Sequence, residues 1–130
     1  MYGPVREYYR NGKLLFEGEY FNRQRKGKGK EYYSNGNLLF EGEYLYGRKY
    51  NGKGYNINGN IVYEIIEGKG NIKEYYDNGI LKFEGEYFNG QRNGKGKEYN
   101  YNEKLKFEGE YINGVRWTGK VFNLFNNKIY

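Results

Sequence analysis

The sequence predicts an all-β protein, an elongated single-layer twisted antiparallel sheet laid down as a meander of about ten strands with negligible helix. Three observations carry that reading. The string Phe-Glu-Gly-Glu-Tyr recurs unchanged at Phe16 to Tyr20, Phe40 to Tyr44, Phe83 to Tyr87 and Phe107 to Tyr111. Eight Asn-Gly dipeptides, at Asn11, Asn35, Asn51, Asn58, Asn78, Asn89, Asn93 and Asn113, punctuate the chain, and both residue types tolerate the positive φ of tight hairpins. No segment holds a 3.6-residue apolar period, whereas Phe16, Gly18 and Tyr20 alternate with Glu17 and Glu19 at the period of a strand. A unit of about two dozen residues cannot bury a hydrophobic face alone, so neighbours must stack.

The elements follow in order as one array over 1–130. Residues 1–12 are half a unit, because Gly3 to Tyr9 aligns with Gly27 to Tyr33. The unit 13–36 contributes a strand around Phe16 to Tyr20 and a return through Gly27 and Gly29. In 37–59 the stretch Gly47 to Gly54 resembles a phosphate-binding loop, but it lacks the terminal Ser or Thr and precedes a strand, so it reads as a hairpin loop. The unit 60–79 is degenerate: Tyr63-Glu64-Ile65 stands where Phe-Glu-Gly would, and the hairpin is shortened at Glu67 to Gly70. The unit 80–103 is clearest, with a strand Phe83 to Phe88, a loop Asn89 to Gly94, a return Lys95 to Tyr101 and a turn at Asn102-Glu103. Residues 104–130 diverge after Trp117 and read as a cap.

Each unit is expected to pack through Phe16, Gly18 and Tyr20, Phe40, Gly42 and Tyr44, Phe83, Gly85 and Tyr87, or Phe107, Gly109 and Tyr111. Glycine inside a strand costs stability unless another group approaches closely, and an aromatic ring lying over the bare backbone is the expected occupant. With 18 tyrosines, eight phenylalanines and no alanine, the core is thin and aromatic.

The spacing Phe83-x-Gly85-x-Tyr87-x-x-Gly90-x-x-x-Gly94-x-Gly96 with an aromatic at Tyr99 resembles the MORN repeat, the membrane occupation and recognition nexus motif. The likeness spans nearly the whole chain. The Tyr-Tyr-x-Asn-Gly signatures are similar to those of a bacterial MORN-like subset, some members of which bear the name antitoxin. The resemblance implies an elongated single-layer antiparallel sheet and a role in scaffolding, dimerisation or attachment to acidic phospholipid.

The chemistry of catalysis is poorly supplied. The chain has no histidine and no cysteine, which removes Ser-His-Asp and Cys-His nucleophiles and imidazole or thiolate metal sites. Asp77 is the sole aspartate, so an EF-hand loop is excluded. The four Glu pairs, such as Glu17 and Glu19, have a separation within the glycosidase range. Four identical copies argue instead for cross-strand pairing with lysines. No catalytic, cofactor or metal residue is assigned, and no cofactor is expected.

The formal net charge of +6 is concentrated in the hairpins. Arg23, Arg25, Lys26, Lys28, Arg48, Lys49, Arg92, Lys95 and Arg116 are expected along one sheet edge, where they form a candidate surface for an anionic partner. Trp117, Phe122, Leu124, Phe125 and Tyr130 form a candidate protein interface. The reading is a non-catalytic scaffold that binds another protein or itself through open sheet ends or the C-terminus. Alternatives are an adaptor for acidic phospholipid and, more remotely, a carbohydrate-binding module. Nucleic acid is disfavoured, because the tyrosines are committed to sheet packing. No apolar run reaches the roughly 18 residues of a membrane span and the N-terminus lacks a signal-peptide pattern, so the expected location is cytoplasmic, peripheral to a membrane at most.

Overall fold

The computed structural model describes residues 2–122. Among them are eleven strands and no helix: β1 (Tyr2–Tyr8), β2 (Leu14–Phe21), β3 (Gln24–Tyr32), β4 (Leu38–Leu45), β5 (Arg48–Tyr55), β6 (Ile61–Ile65), β7 (Gly70–Tyr75), β8 (Leu81–Phe88), β9 (Gln91–Tyr99), β10 (Leu105–Ile112) and β11 (Val115–Val121). Every pairing is antiparallel between chain neighbours, so the meander read from the sequence is present.

Two kinds of hairpin alternate. At one edge, Asn22-Arg23, Tyr46-Gly47, Glu67-Gly68, Asn89-Gly90 and Asn113-Gly114 each have both residues at positive φ, the backbone of a two-residue type I′ turn, whose twist suits the flanking strands. At the opposite edge the loops are longer, as at Tyr9 to Lys13, where the Tyr9 carbonyl accepts from the Gly12 amide at 3.0 Å and the Tyr9 amide donates to Lys13 at 2.8 Å. The Asn11 side chain accepts from the Lys13 amide there, and Asn35 and Asn78 repeat the arrangement. Turns also stack on turns. Gly47 donates to the Arg25 carbonyl, Gly90 to Gly68 and Gly114 to Arg92, at 2.8 to 3.1 Å.

Two of the eight Asn-Gly pairs are not turns. Asn51-Gly52 lies within β5 and Asn93-Gly94 within β9. The loop expected at Asn89 to Gly94 contracts to Asn89-Gly90, because a register shift opposite Gly85 to Tyr87 takes up the extra residue as a bulge and lengthens β9.

The expected single sheet of about ten strands is corrected to two sheets, β1 to β6 and β7 to β11. The ladder between β6 and β7 consists of the lone bridge Ile66 to Lys69. The cause lies in the degenerate unit. Gly52 pairs with Ile65 and Ile72 with Gly85, so two isoleucines occupy positions that glycine holds on β2 to β5 and β8 to β11. Both are buried, and Ile72 of the second sheet packs in one cluster with Phe16, Phe40, Tyr44, Tyr63 and Ile65 of the first. Their volume separates the two strands beyond the bridge. The sheets remain linked at the long-loop edge, where Asp77 accepts from the Ser34 amide at 2.7 Å and from the Ser34 hydroxyl.

Candidate functional site

Strand alternation gives the sheets two unlike faces. On the aromatic face, Phe16, Phe40, Phe83 and Phe107 are almost wholly buried, although no second layer covers them. The glycines explain half of this. A Cβ on Gly18 would lie 2.6 Å from the Phe16 ring and one on Gly29 2.8 Å from it, so the ring covers its own strand's glycine and the next strand's. Gly85 and Gly96 hold the Phe83 ring in the same way. Tyr44 and Tyr111 then meet Phe16 and Phe83 edge-on at 5.4 and 5.3 Å between centroids, the arrangement favoured by the ring quadrupoles.

Cations cover the other half. Arg25, Arg92 and Arg116 place their guanidinium carbons 4.0, 4.2 and 4.5 Å from the centroids of Phe16, Phe83 and Phe107. Each is held by carboxylates from returning strands: Arg25 bonds Glu7 and Glu31, Arg92 bonds Glu74, and Arg116 bonds Glu98. Tyr20, Tyr44, Tyr87 and Tyr111 donate their hydroxyls to Glu7, Glu31, Glu74 and Glu98. A zipper of alternating sign thus runs along the aromatic face. Burial alone would raise the Glu98 carboxyl, but Arg116, Tyr111 and Arg92 outweigh it and pull the pKa to about 2. Glu31 and Glu74 are lowered in the same sense, against burial, by Lys49 with Arg25 and by Arg92.

The opposite face carries the glutamate pairs. Cross-strand register places Arg6, Glu17, Lys30, Glu41, Lys53 and Glu64 in one row across the first sheet. Lys73, Glu84, Lys97, Glu108 and Lys120 form the matching row across the second. Lys30 stands 3.7 Å from Glu41 and Lys97 3.7 Å from Glu108. Tyr32 and Tyr99 donate to Glu17 and Glu84 at 2.8 Å, and burial followed by these carboxylates pushes both phenols up to about 12. A second row contains Glu19, Lys28 and Glu43. Between the rows runs the line of glycines, whose side-chain positions face the aromatic side, so main chain forms the floor between the two charged rows. The result is an open groove of about 1100 Å³ across β1 to β4 and a second of about 520 Å³ across β7 to β10.

The nine basic residues expected along one edge divide among three places. Arg25, Lys49, Arg92 and Arg116 belong to the aromatic face, each beside a carboxylate. Lys28 and Lys95 line the two grooves. Arg23, Lys26 and Arg48 remain exposed at the two-residue turns, with the Lys26 ammonium 5.1 Å from the Phe21 ring. Trp117 is 68% exposed on β11, and the Phe122 amide bonds the Lys106 carbonyl. Leu124, Phe125 and Tyr130 lie outside the described residues.

Sequence reasoning did not single out Glu7, Glu31, Glu74 and Glu98. Their signal was a Glu-Tyr pair on each returning strand, 13 residues before the tyrosine that donates to it. Among the described residues no group of three His, Cys, Asp or Glu is arranged to hold a metal ion, and no helix is long and apolar enough to cross a membrane.

No curated protein matches the chain. The family described as MORN repeat variant matches at residues 1–22, 25–46 and 69–89. These segments take in β1, most of β3 and β7, each a returning strand, and each runs through the following Leu-led strand to its two-residue turn. With the ring-over-glycine packing and the alternating hairpins built from the same residues, the chain belongs to the MORN repeat variant family.

Proposed function

We propose that this chain is a non-catalytic scaffold that receives an extended segment of a partner protein in the groove across β1 to β4. The observation that carries the reading is the groove itself. Its floor is main chain already paired within the sheet, and its walls present carboxylates and ammonium groups in alternation. Such a surface has no single sign, so it favours a partner segment carrying both charges over a polyanion. The groove also repeats in the second sheet, which suits a long partner or two sites on one chain.

The test is partner capture followed by titration of the purified pair. Lys28→Glu with Lys30→Glu is expected to weaken binding at least about tenfold, with a steep salt dependence, because charged contacts at a rim act through complementarity. Circular dichroism of the variant checks that the sheet persists. Affinity indifferent to both substitutions would reject the groove as the docking site.

A second reading has its own observation. Phe21, Tyr46, Ile66, Phe88 and Ile112 are exposed along the two-residue-turn edge, beside Arg23, Lys26, Arg48 and Lys69. Apolar and basic residues on one edge supply the two signals that peripheral attachment to an acidic membrane requires. In pelleting with phosphatidylserine vesicles, Phe88→Asp and Arg23→Glu with Lys26→Glu should each release the protein. Retention that survives both, or that ignores salt, would count against this edge.

A further inference from the structure

The face that carries the grooves has a third row, set toward the long-loop edge. Two residues on from Arg6, Lys30 and Lys53, strand parity brings Tyr8, Tyr32 and Tyr55 to this face, where they pair with Leu14, Leu38 and Ile61. The order across the first sheet is therefore Tyr8, Leu14, Tyr32, Leu38, Tyr55 and Ile61. A register shift beside each pair leaves Leu15, Leu39 and Val62 to pack on the aromatic cluster instead. Tyr8 and Ile61 are each 58% exposed and the other four are half-buried, so the row is apolar and open to solvent.

The spacing of this row selects what can lie along it. Its tyrosines stand on alternate strands, so they recur every two strand separations, about 9.6 Å. A polyproline II helix makes one turn of three residues in about 9.3 Å. From Tyr8 to Tyr55, two such intervals, it drifts by only about 0.6 Å. An extended strand shows the same face every 6.7 Å or about that, and is out of step within the first interval. An α-helix returns after two turns at about 10.8 Å and is more than about 2 Å out by Tyr55. Charge follows the same pitch. Leu14 and Leu38, which stand between the tyrosines, share β2 and β4 with Glu17 and Glu41. Those carboxylates are 36% and 50% exposed, with their cations at 3.9 and 3.7 Å.

We propose that the row binds a polyproline II segment of a partner protein, with proline at every third position and an arginine or lysine in each triplet. The proposal rests on the reading of this face as the receiver of an extended segment, and it names that segment's chemistry. Proline rings lie in the intervals between tyrosines, and the cations, at the same pitch, meet Glu17 and Glu41. The Tyr32 hydroxyl already donates to Glu17 at 2.8 Å, so that ring is held before the segment arrives. A polyproline II helix is preformed as well, so little conformational freedom is lost on either side. The second sheet repeats the row, with Tyr75 paired to Leu81 and Tyr99 to Leu105.

The probe is a fluorescent peptide of four Pro-Pro-Arg triplets, titrated by anisotropy against the full chain. Beside it run a peptide of the same composition with its arginines gathered at one end, and a proline-free peptide of alternating lysine and glutamate. The triplet peptide is expected to bind saturably and at least about tenfold more tightly than the gathered one. Tyr8→Ala and Tyr55→Ala should each weaken the triplet peptide severalfold and leave the lysine-glutamate peptide unaffected, with the circular dichroism of the chain unchanged. No saturable binding of the triplet peptide, equal affinity for the two proline peptides, or affinity unchanged in both tyrosine variants would overturn the proposal. The lysine-glutamate peptide separates this outcome from the groove reading. If it binds and responds to Lys28→Glu with Lys30→Glu while the triplet peptide fails, the polyproline inference falls and the groove stands. Failure of both peptides counts against both.

Discussion

At the scale of single residues, the glycines of this chain serve two separable purposes. Gly12 sits at φ +85 with open space where a Cβ would go, so it is needed for its backbone conformation alone. Gly18 has no such φ, but its Cβ would lie 2.6 Å from the Phe16 ring and 2.8 Å from the Gly29 Cα and the Lys28 carbonyl. Gly12→Ala is expected to cost about 1 kcal/mol, the penalty of a left-handed residue. Gly18→Ala should cost about 2 to 3 kcal/mol, because backbone and ring must both give way. Urea denaturation of the two variants measures the difference, and equal losses would mean that the ring does not press on Gly18. Glu98 has a different signature. Its folded pKa is about 2 against an ordinary 4.5, so its contribution to stability is present above pH 4.5 and is lost as the pH falls through 2. Thermal melting should therefore be flat from pH 7 to 5 and drop below 4.5, with a shallower drop in Glu98→Gln.

At the scale of elements, the unit is a strand pair whose two ends are closed by different chemistry. Two-residue turns need positive φ twice, and Asn22-Arg23 meets that need without a glycine. The longer loops are tied across units by phenols in part-buried hydrogen bonds: Tyr9 donates to the Tyr32 carbonyl at 2.6 Å, Tyr33 to Tyr55 at 2.7 Å and Tyr76 to Tyr99 at 2.8 Å. Tyr33 is fully buried. Tyr33→Phe keeps the ring and leaves the Tyr55 carbonyl without its donor, so a loss of about 1 to 2 kcal/mol is expected in denaturant titration. A neutral result would show that water replaces the hydroxyl at this edge. The spacing of the tyrosines was legible in the sequence, but their acceptors were not, since each lies one unit away in a register that only pairing defines.

At the scale of the whole molecule, the two sheets behave as one array only through a small junction. The bridge Ile66 to Lys69, the Ser34 and Asp77 pair and the buried Ile65 and Ile72 carry it. In a quasi-linear fold, cooperativity is transmitted by such interfaces between neighbours. Ile72→Ala should remove about 2 to 4 kcal/mol of packing and separate amide-exchange protection into two levels, one for β1 to β6 and one for β7 to β11. A single level in the variant would show that the turn stack alone couples the sheets. The meander, the packing of Phe16 with Gly18 and the outward direction of Glu17 and Glu19 were all readable from repetition and strand parity. The distribution of the basic residues was not. Arg25, Arg92 and Arg116 sit near turns in the sequence, as Arg23 and Lys26 do, yet a bulge in each returning strand turns the first three over the rings.

Local rules of period, turn chemistry and glycine tolerance are sufficient for the strands, their order and their two faces, and the sequence states these through four identical copies. The division into two sheets and the charge zipper depend on how volumes and charges from different units meet across space. Two isoleucines in a glycine row acquire their meaning only when the neighbouring strands are in place.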